Sequence, residues 1–473
     1  MRWLAFVMVS LIAPLAHADD ASDAVALHDK VTKGGRGREA AQLELATLLY
    51  KMGLKQASYA YFSEIADKPA HSKFSEALPW LAKLGADLPD AADVAERVGK
   101  YDDAHIMALS AQRDTFAQIE WMSGQYAYRN RNYEDAIARF SRIDRSSPLF
   151  GKAQMMVGMS NVQARRSVPA VTAFGRTIAW LDEGGATPPD ALRLRDLANL
   201  SMARTYYSAS ISPADTGFAV DFQKLSAAIK YFRRVSPTGE FFFDAMFGDA
   251  WARRWAGDYD HALGEARFVS PRFAEAGVLE ALIQYGNCRY DDAARTVTRL
   301  RETYEPKKRA LASELAALEK AGDDAQYALA VRSPEATDRR VASFVAYEAL
   351  LQSEKKKLAS LPAAFRSSPL GADISDVIAL GLDIVHRQVA DLARERIMRA
   401  KDELDENLRD AMKISIDVVA AQKNALEQQV AGSPPPPLPP PARPRTLTLS
   451  WPLNGGHTPD PLYAAPITPA CRP

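Results

Sequence analysis

The side chains that could do chemistry in this chain are few and scattered. The seven histidines are His17, His28, His71, His105, His261, His386 and His457, and none lies three or four residues from another histidine or from a cysteine. A zinc site needs ligands at such spacings to close on one ion, so no metal and no cofactor is expected. There is no Gly-Lys-Ser or Gly-Lys-Thr phosphate loop and no Gly-x-Ser-x-Gly nucleophile elbow. Gly34, Gly35 and Gly37 flank Arg36, but they follow no strand and read as flexible chain. The adjacent acids Asp102 with Asp103 and Asp291 with Asp292 stand where helices should start. There a carboxylate complements the helix dipole, so they read as caps and not as an acid and a base. With no catalytic constellation the chain is expected not to be an enzyme.

The first eighteen residues set the compartment. Arg2 precedes an apolar run from Leu4 to Ala16 broken only by Ser10 and Pro14, and Ala16, His17 and Ala18 form a small-x-small cleavage signal. This pattern reads as a secretory signal peptide over 1–18, too short for a membrane-spanning helix of roughly 20 residues. No cysteine precedes Cys288, so a lipid-acceptor thiol is missing at the signal junction. A soluble periplasmic protein with no membrane span after cleavage is expected. Lys plus Arg and Asp plus Glu both number 59. Without a concentrated basic excess, nucleic acid is not an expected partner. The runs Lys307 to Arg309 and Lys355 to Lys357 read as solvated helix faces.

The elements that could position a site emerge from a repeat. Gly124, Ala136 and Phe140 recur 34 residues later as Gly158, Ala170 and Phe174. That is the period of the tetratricopeptide repeat, a pair of antiparallel helices. One such pair cannot bury its apolar face alone, so the units must stack. About six units can be placed. A weak first one contains Ala57, Tyr61 and Phe62, and the strongest runs from Ala117 to Pro148. The third carries Gly158. The fourth has Ala203, Ala228 and Phe232 and is lengthened by the insert ISPADTGFAVDFQ, which reads as a surface loop. The fifth has Ala250, Gly257 and Ala262, and the sixth has Ala281 and Ala293, with Cys288 where Gly257 sat. Between the first two units, residues 74–98 read as less regular helix interrupted by Pro79 and Pro89.

Past Glu305 the repeat fades while helical periodicity continues. From Pro369 to Pro434 there is no proline, and apolar residues from Val377 to Val419 keep three- and four-residue steps. A helix of about 55 residues would be roughly 80 Å long. It must lie along the repeats, fold back as a hairpin or pair with a partner as an oligomer. After Gly432 the composition changes to SPPPPLPPPARPR, a polyproline II spacer or docking segment, followed by a tail with one short strand at Thr446 to Trp451. The expected fold class is therefore all-α: a tetratricopeptide α-solenoid, long C-terminal helices and a proline-rich tail. The expected limits are a signal peptide over 1–18, a flexible segment over 19–38, the solenoid over 39–304, a helical region over 305–432 and a mostly disordered tail over 433–473.

In an oxidising compartment Cys288 and Cys471 could form a disulfide that ties the tail to the sixth repeat, stay free, or pair between chains. In repeats that resemble this one, ligands are held mainly by the first helix of each pair. Counting from Ala117 as position one, positions two, five, nine, twelve and thirteen give Gln118, Trp121, Gln125, Tyr128 and Arg129. The same count gives Met155 and Met159, then Arg204 and Tyr207, then Phe247, Trp251, Arg254 and Trp255, and finally Leu282 and Tyr285. Aromatics, Met and Arg suit a protein-binding surface. The alternative is that these side chains pack against neighbouring repeats or the long C-terminal helix.

A narrower resemblance rests on FSEALPWLAKLGADLPDAADVAERVGKYDD, YRNRNYEDAIARF, LSMARTYYSASI, NCRYDDAA and SSPLGADISDVIALGLDIVHRQVADLARERI. Together these segments resemble the periplasmic tetratricopeptide proteins of the myxobacterial adventurous gliding motility machinery, over roughly residues 74–430. The proline-rich end departs from that family, although Trp451, Pro452, Asn454, Gly455 and Cys471 resemble a remnant of its C-terminal segment. The resemblance implies a periplasmic scaffold with other cell-envelope proteins as partners, in a complex coupling an inner-membrane motor to the outer membrane. A helper of outer-membrane protein assembly, secretion or cell-wall synthesis is the alternative.

Overall fold

The computed structural model describes residues 16–184, 191–215, 217–336, 338–430, 449–453 and 456–460. The fold is all-α, built of tetratricopeptide-type helix pairs followed by long helices. In chain order the first helices are α1 Ala16–Lys33, α2 Arg38–Lys51, α3 Lys55–Ala66, α4 Phe74–Asp87, α5 Val94–Val98, α6 Asp103–Met107 and α7 Arg113–Arg129. Next come α8 Tyr133–Ser141, α9 Phe150–Gln163, α10 Ser167–Asp182 and α11 Ala191–Ser210. A hairpin of β1 Ile211–Ala214 and β2 Gly217–Val220 separates these from α12 Phe222–Phe232, α13 Phe242–Ala256, α14 Tyr259–Val269 and α15 Ala274–Gly286. The remaining helices are α16 Tyr290–Lys320, α17 Asp323–Arg332, α18 Arg339–Ser360, α19 Ala363–Arg366 and α20 Pro369–Val430, and β3 Leu449–Leu453 pairs antiparallel with β4 Gly456–Asp460. No helix among the described residues is long and apolar enough to cross a membrane.

The helix pairs share a stop signal that composition does not reveal. One or two residues past the first helix the backbone turns left-handed, at Gly53, Arg131, Arg165, Gly257 and Cys288. In each case the next backbone N–H reaches five residues back: Leu54 to Leu49, Asn132 to Ala127, Arg166 to Asn161, Asp258 to Arg253 and Arg289 to Gln284. This is the Schellman ending, which satisfies otherwise orphaned carbonyls and reverses the chain. The fourth pair alone replaces the tight turn with a hairpin, where Ile211 pairs with Val220 and Ala214 with Gly217. The expected surface loop is thus an ordered ribbon.

The chain divides into two compact units. One comprises the chain up to Asn132 with Leu318–Arg394, and the other Tyr133–Ala317 with the chain from Glu395 onward. In the first, α2 buries Ala41, Leu45, Ala46 and Leu49 at helical spacing, and α3 buries Ala57, Phe62, Ile65 and Ala66. Phe62 stacks on Trp80 of α4 at 5.9 Å. Helix α4 runs through Pro79 instead of breaking there, because Leu78, Leu81, Ala82 and Leu84 are buried around it. Residues 19–38, expected to be flexible, instead supply most of α1. Its Ala21, Ala24, His28 and Val31 are buried, and a helix that buries apolar surface is stabilised by packing despite weak amphipathic patterning. The C-terminal helices return to these first repeats. Ser343 accepts a bond from the Ala91 N–H at 3.1 Å, the Gln56 N–H donates to Glu354 at 2.8 Å, and His28 lies 2.9 Å from Asp373.

In the second unit the core is a series of linked clusters. Phe174 of α10 lies against Gly158 of α9, so closely that a Cβ there would stand 2.3 Å from the ring. Phe232 of α12 meets Gly248 of α13 in the same way at 2.4 Å. The small residue beside an aromatic, read from the repeat, is therefore a direct backbone-to-ring approach. Leu225, Ala228, Phe232, Ala245 and Met246 continue the core, then Ala262, Leu263, Leu279 and Ile283. The last cluster joins Val278, Ala281, Val297 and Leu300 to Ala411, Ile414 and Val418 of α20. Of the open choices for the long helix, this part packs on its own chain, while Met412, Ile416, Val419 and Leu426 remain exposed. The signal segment up to Leu15 and most of the proline-rich tail lie outside the described residues.

Candidate functional site

The residues singled out for the inner face fall in both units. Trp121, Gln125 and Tyr128 are half-buried on α7 of the first unit, and the neighbouring Arg129 pairs with Asp93 at 2.7 Å. In the second unit Met155 is only 3% exposed, packed in the cluster of Phe150, Phe174 and Trp180. That corrects the expectation of a ligand contact: the side chain fills the gap between two helix pairs and has no open surface to offer. Met159, one turn on, is exposed. Arg204 is held by Asp244 at 2.8 Å. Leu282 and Tyr285 pack against the cluster to which Ala411, Ile414 and Val418 of α20 belong, so the long helix lies beside the place where a ligand was expected on the sixth pair.

What remains open is the wall formed by α11 and α13. The Arg254 guanidinium lies over the rings of both Trp251, at 5.6 Å, and Trp255, at 5.4 Å. The Trp251 indole beside the Glu275 carboxyl and the Trp255 indole beside the Tyr207 hydroxyl each act to lower those groups' titration, against the larger raising effect of burial. Phe247 stacks on Phe273 at 5.5 Å. Phe218, from the hairpin that lengthens the fourth pair, approaches Trp255 edge-on at 5.8 Å while remaining 61% exposed. The insert therefore adds an aromatic to the wall of the next repeat. Spacing rules for a regular pair contain no hairpin and could not place Phe218. Glu275 was missed for the same reason, since it contributes through the Trp251 indole and sits at no ligand position.

Electrostatics give this wall one charged edge. Desolvation beside the aromatics raises the Glu275 carboxyl above its ordinary value, the Trp251 bond lowers it, and the facing carboxylates of Glu403, Glu406 and Asp410 on α20 raise it again. Beneath the wall, Asp249 of α13 and Glu265 of α14 are both buried around Arg253, at 3.0 and 3.3 Å from its Nε. Arg253 also reaches Asp258 at 2.5 Å. Burial pushes both buried carboxyls up, and for Glu265 the Asp249 charge pushes further. This knot fixes the helix that presents Trp251, Arg254 and Trp255. Among the described residues no group of three or more His, Cys, Asp or Glu could hold a metal ion. Cys288 occupies its left-handed turn position, and Cys471 lies outside the described residues.

No family model matches this chain, and no curated protein matches it. Among solved structures it is similar to a Rap protein complexed with competence and sporulation factor, at 11% identity and a TM-score of 0.28 over 80% of this chain and 100% of that one. It is also similar to the Cut9-Hcn1 hetero-tetramer of the APC/C, at 11% identity and a TM-score of 0.22 over 85% of this chain and 94% of that one. Likenesses this distant say nothing of what the chain binds, and the fold rests on its own helix pairs and their recurring turn.

Proposed function

We propose that this chain is a non-enzymatic protein-binding scaffold whose partner seats on the aromatic wall of the second unit. The observation that carries this reading is the Trp251, Arg254 and Trp255 stack, extended by the exposed Phe218. Rigid aromatic and Arg side chains held in place before binding are what dominate protein interfaces. A Trp251→Ala, Arg254→Ala double variant should keep its helical circular dichroism and lose about tenfold or more in partner affinity. Unchanged affinity in a folded variant removes the wall from the interface.

The setting we assign is the periplasm, within a trans-envelope complex of the gliding-motility kind. Support comes from the basic start, apolar run and small-residue signal between Arg2 and Ala18, and from the five segments that resemble that family. In-cell crosslinking of the tagged protein, followed by mass spectrometry, tests this setting. Recovery of envelope motor and outer-membrane motility proteins supports it. Recovery of β-barrel assembly or wall-synthesis proteins replaces it with the helper role. In that compartment Cys288 pairs with Cys471, and labelling of both thiols under denaturing, non-reducing conditions would refute the pairing.

A further inference from the structure

We infer that the C-terminal part of α20 pairs antiparallel with the same segment of a second copy of this chain. The inference stands apart from the aromatic wall, which lies on α13. Ala411, Ile414 and Val418 turn one face of α20 into the core of the second unit, and at the edge of that face Gln422 donates to Asp291 at 2.8 Å. A second apolar face is left outside. Met412, Ile416, Val419 and Leu426 are between 44% and 62% exposed, and their steps of four, three and seven residues are those of the a and d places of a heptad. The stripe has a definite start. Just before it the same places hold Asp402, Asp405 and Arg409, so an apolar seam is not a property of the helix as a whole. From Met412 to Leu426 it runs about 21 Å, the length of a short coiled-coil contact.

Charge selects the occupant and its direction. Lys423 takes an a place of this heptad and is exposed. In a parallel pair it would meet Lys423 of the second copy inside the seam, where like charges repel. In an antiparallel pair a places face d places. Lys423 then lies beside Val419 of the second copy, which its aliphatic stem can cover, and Ile416 faces Leu426. The same register brings the flanking e places Lys413 and Glu427 opposite one another, twice by the symmetry of the pair. The stripe thus carries its own complement in reverse order, which a second copy supplies and an unrelated helix would have to match. Within one copy Lys413 has Asp410 at 2.7 Å and Lys423 has Glu427 at 3.6 Å. Both are exposed pairs of small stabilising effect, and each can widen into a network with the second copy. A seam this short gives a dimer at the weak end of specific interfaces, with a dissociation constant of about 10 µM.

Sedimentation velocity of the full chain tests this from about 1 to about 100 µM, with reductant present so that a cysteine-linked dimer does not count. A monomer should pass into a dimer across that range. Ile416→Glu, a change on the exposed face, should weaken the dimer about thirtyfold or more. Lys413→Glu and Glu427→Lys should each weaken it about tenfold, and the two together should restore it to within about threefold of the native chain. A native chain that stays monomeric throughout overturns the inference, whichever other occupant covers the stripe. So does a dimer that Ile416→Glu leaves intact. A double reversal no better than either single one overturns the antiparallel register. One measurement needs no variant: in the native chain, hydrogen exchange over residues 412–426 should slow as the dimer forms. Exchange there that ignores dimerisation places the contact elsewhere and overturns the seam.

Discussion

The two units use the same helix pair to opposite ends. In the first unit α18 returns to the initial repeats, and Tyr347, Leu351 and Leu358 are buried there. Glu354 meets the start of α3, where it accepts the Gln56 N–H. In the second unit the wall of α13 stays half-exposed at Trp251, Arg254 and Trp255. A repeat face closed by its own chain draws its partners from that chain, as Gln56 does from Glu354. One left open keeps aromatics half-wet, the condition in which a partner gains by binding.

The strongest challenge to this contrast is Phe232→Ala, which removes the ring seated on Gly248 and should cost about 3–5 kcal/mol. Hydrogen exchange should then report lost protection in the second unit only. Equal loss in peptides from the first unit would mean that the two unfold as one, and the contrast would fail. Next is the pH response. Burial raises Glu354 from its ordinary 4.5 to about 7, against the lowering effect of the Gln56, Ala57 and Lys55 N–H groups. Its folded value lies above the unfolded one, so this contribution is complete below about 4.5 and is lost as pH rises through about 7. Melting of the first unit should drop across that window by up to about 3 kcal/mol, and Glu354→Gln should flatten the drop. Glu265, raised well above the ordinary value, has the same sign in the second unit, so Glu265→Gln should reduce the decline of that unit at rising pH. If Glu354→Gln instead flattened the profile of the second unit, the assignment of separate buried carboxylates would be wrong. The smallest effect is at the turns. Arg165 adopts φ 59°, where glycine avoids the Cβ penalty, so Arg165→Gly should gain about 0.5–1 kcal/mol of unfolding free energy, read as a higher denaturant midpoint. A loss there would mean that the arginine side chain outweighs the backbone.

Much of the fold was legible because the 34-residue period is local: a small residue, an alanine and an aromatic at fixed offsets recur as Gly158 against Phe174. The long helix from Pro369 was legible for the same reason. Helix α1 was not, because Ala21, Ala24 and Val31 gain their stability from what they touch and carry only a faint periodic signal. The wall was half legible. Ligand-position counting found Trp251, Arg254 and Trp255 but also selected Met155, which the next helix pair buries. It had no means of placing Phe218 across the hairpin.

The sequence by itself determined that paired helices form, where most of them turn, and that neither a zinc-spaced ligand set nor a nucleotide loop is present. These follow from hydrophobic period, side-chain type and short-range spacing. Only the tertiary structure decided which faces the chain keeps for itself: α18 on the first repeats, and Ala411, Ile414 and Val418 of α20 in the cluster against which Tyr285 packs. Burial and charge pairing depend on residues more than a hundred positions apart, and no local pattern encodes which of them will meet.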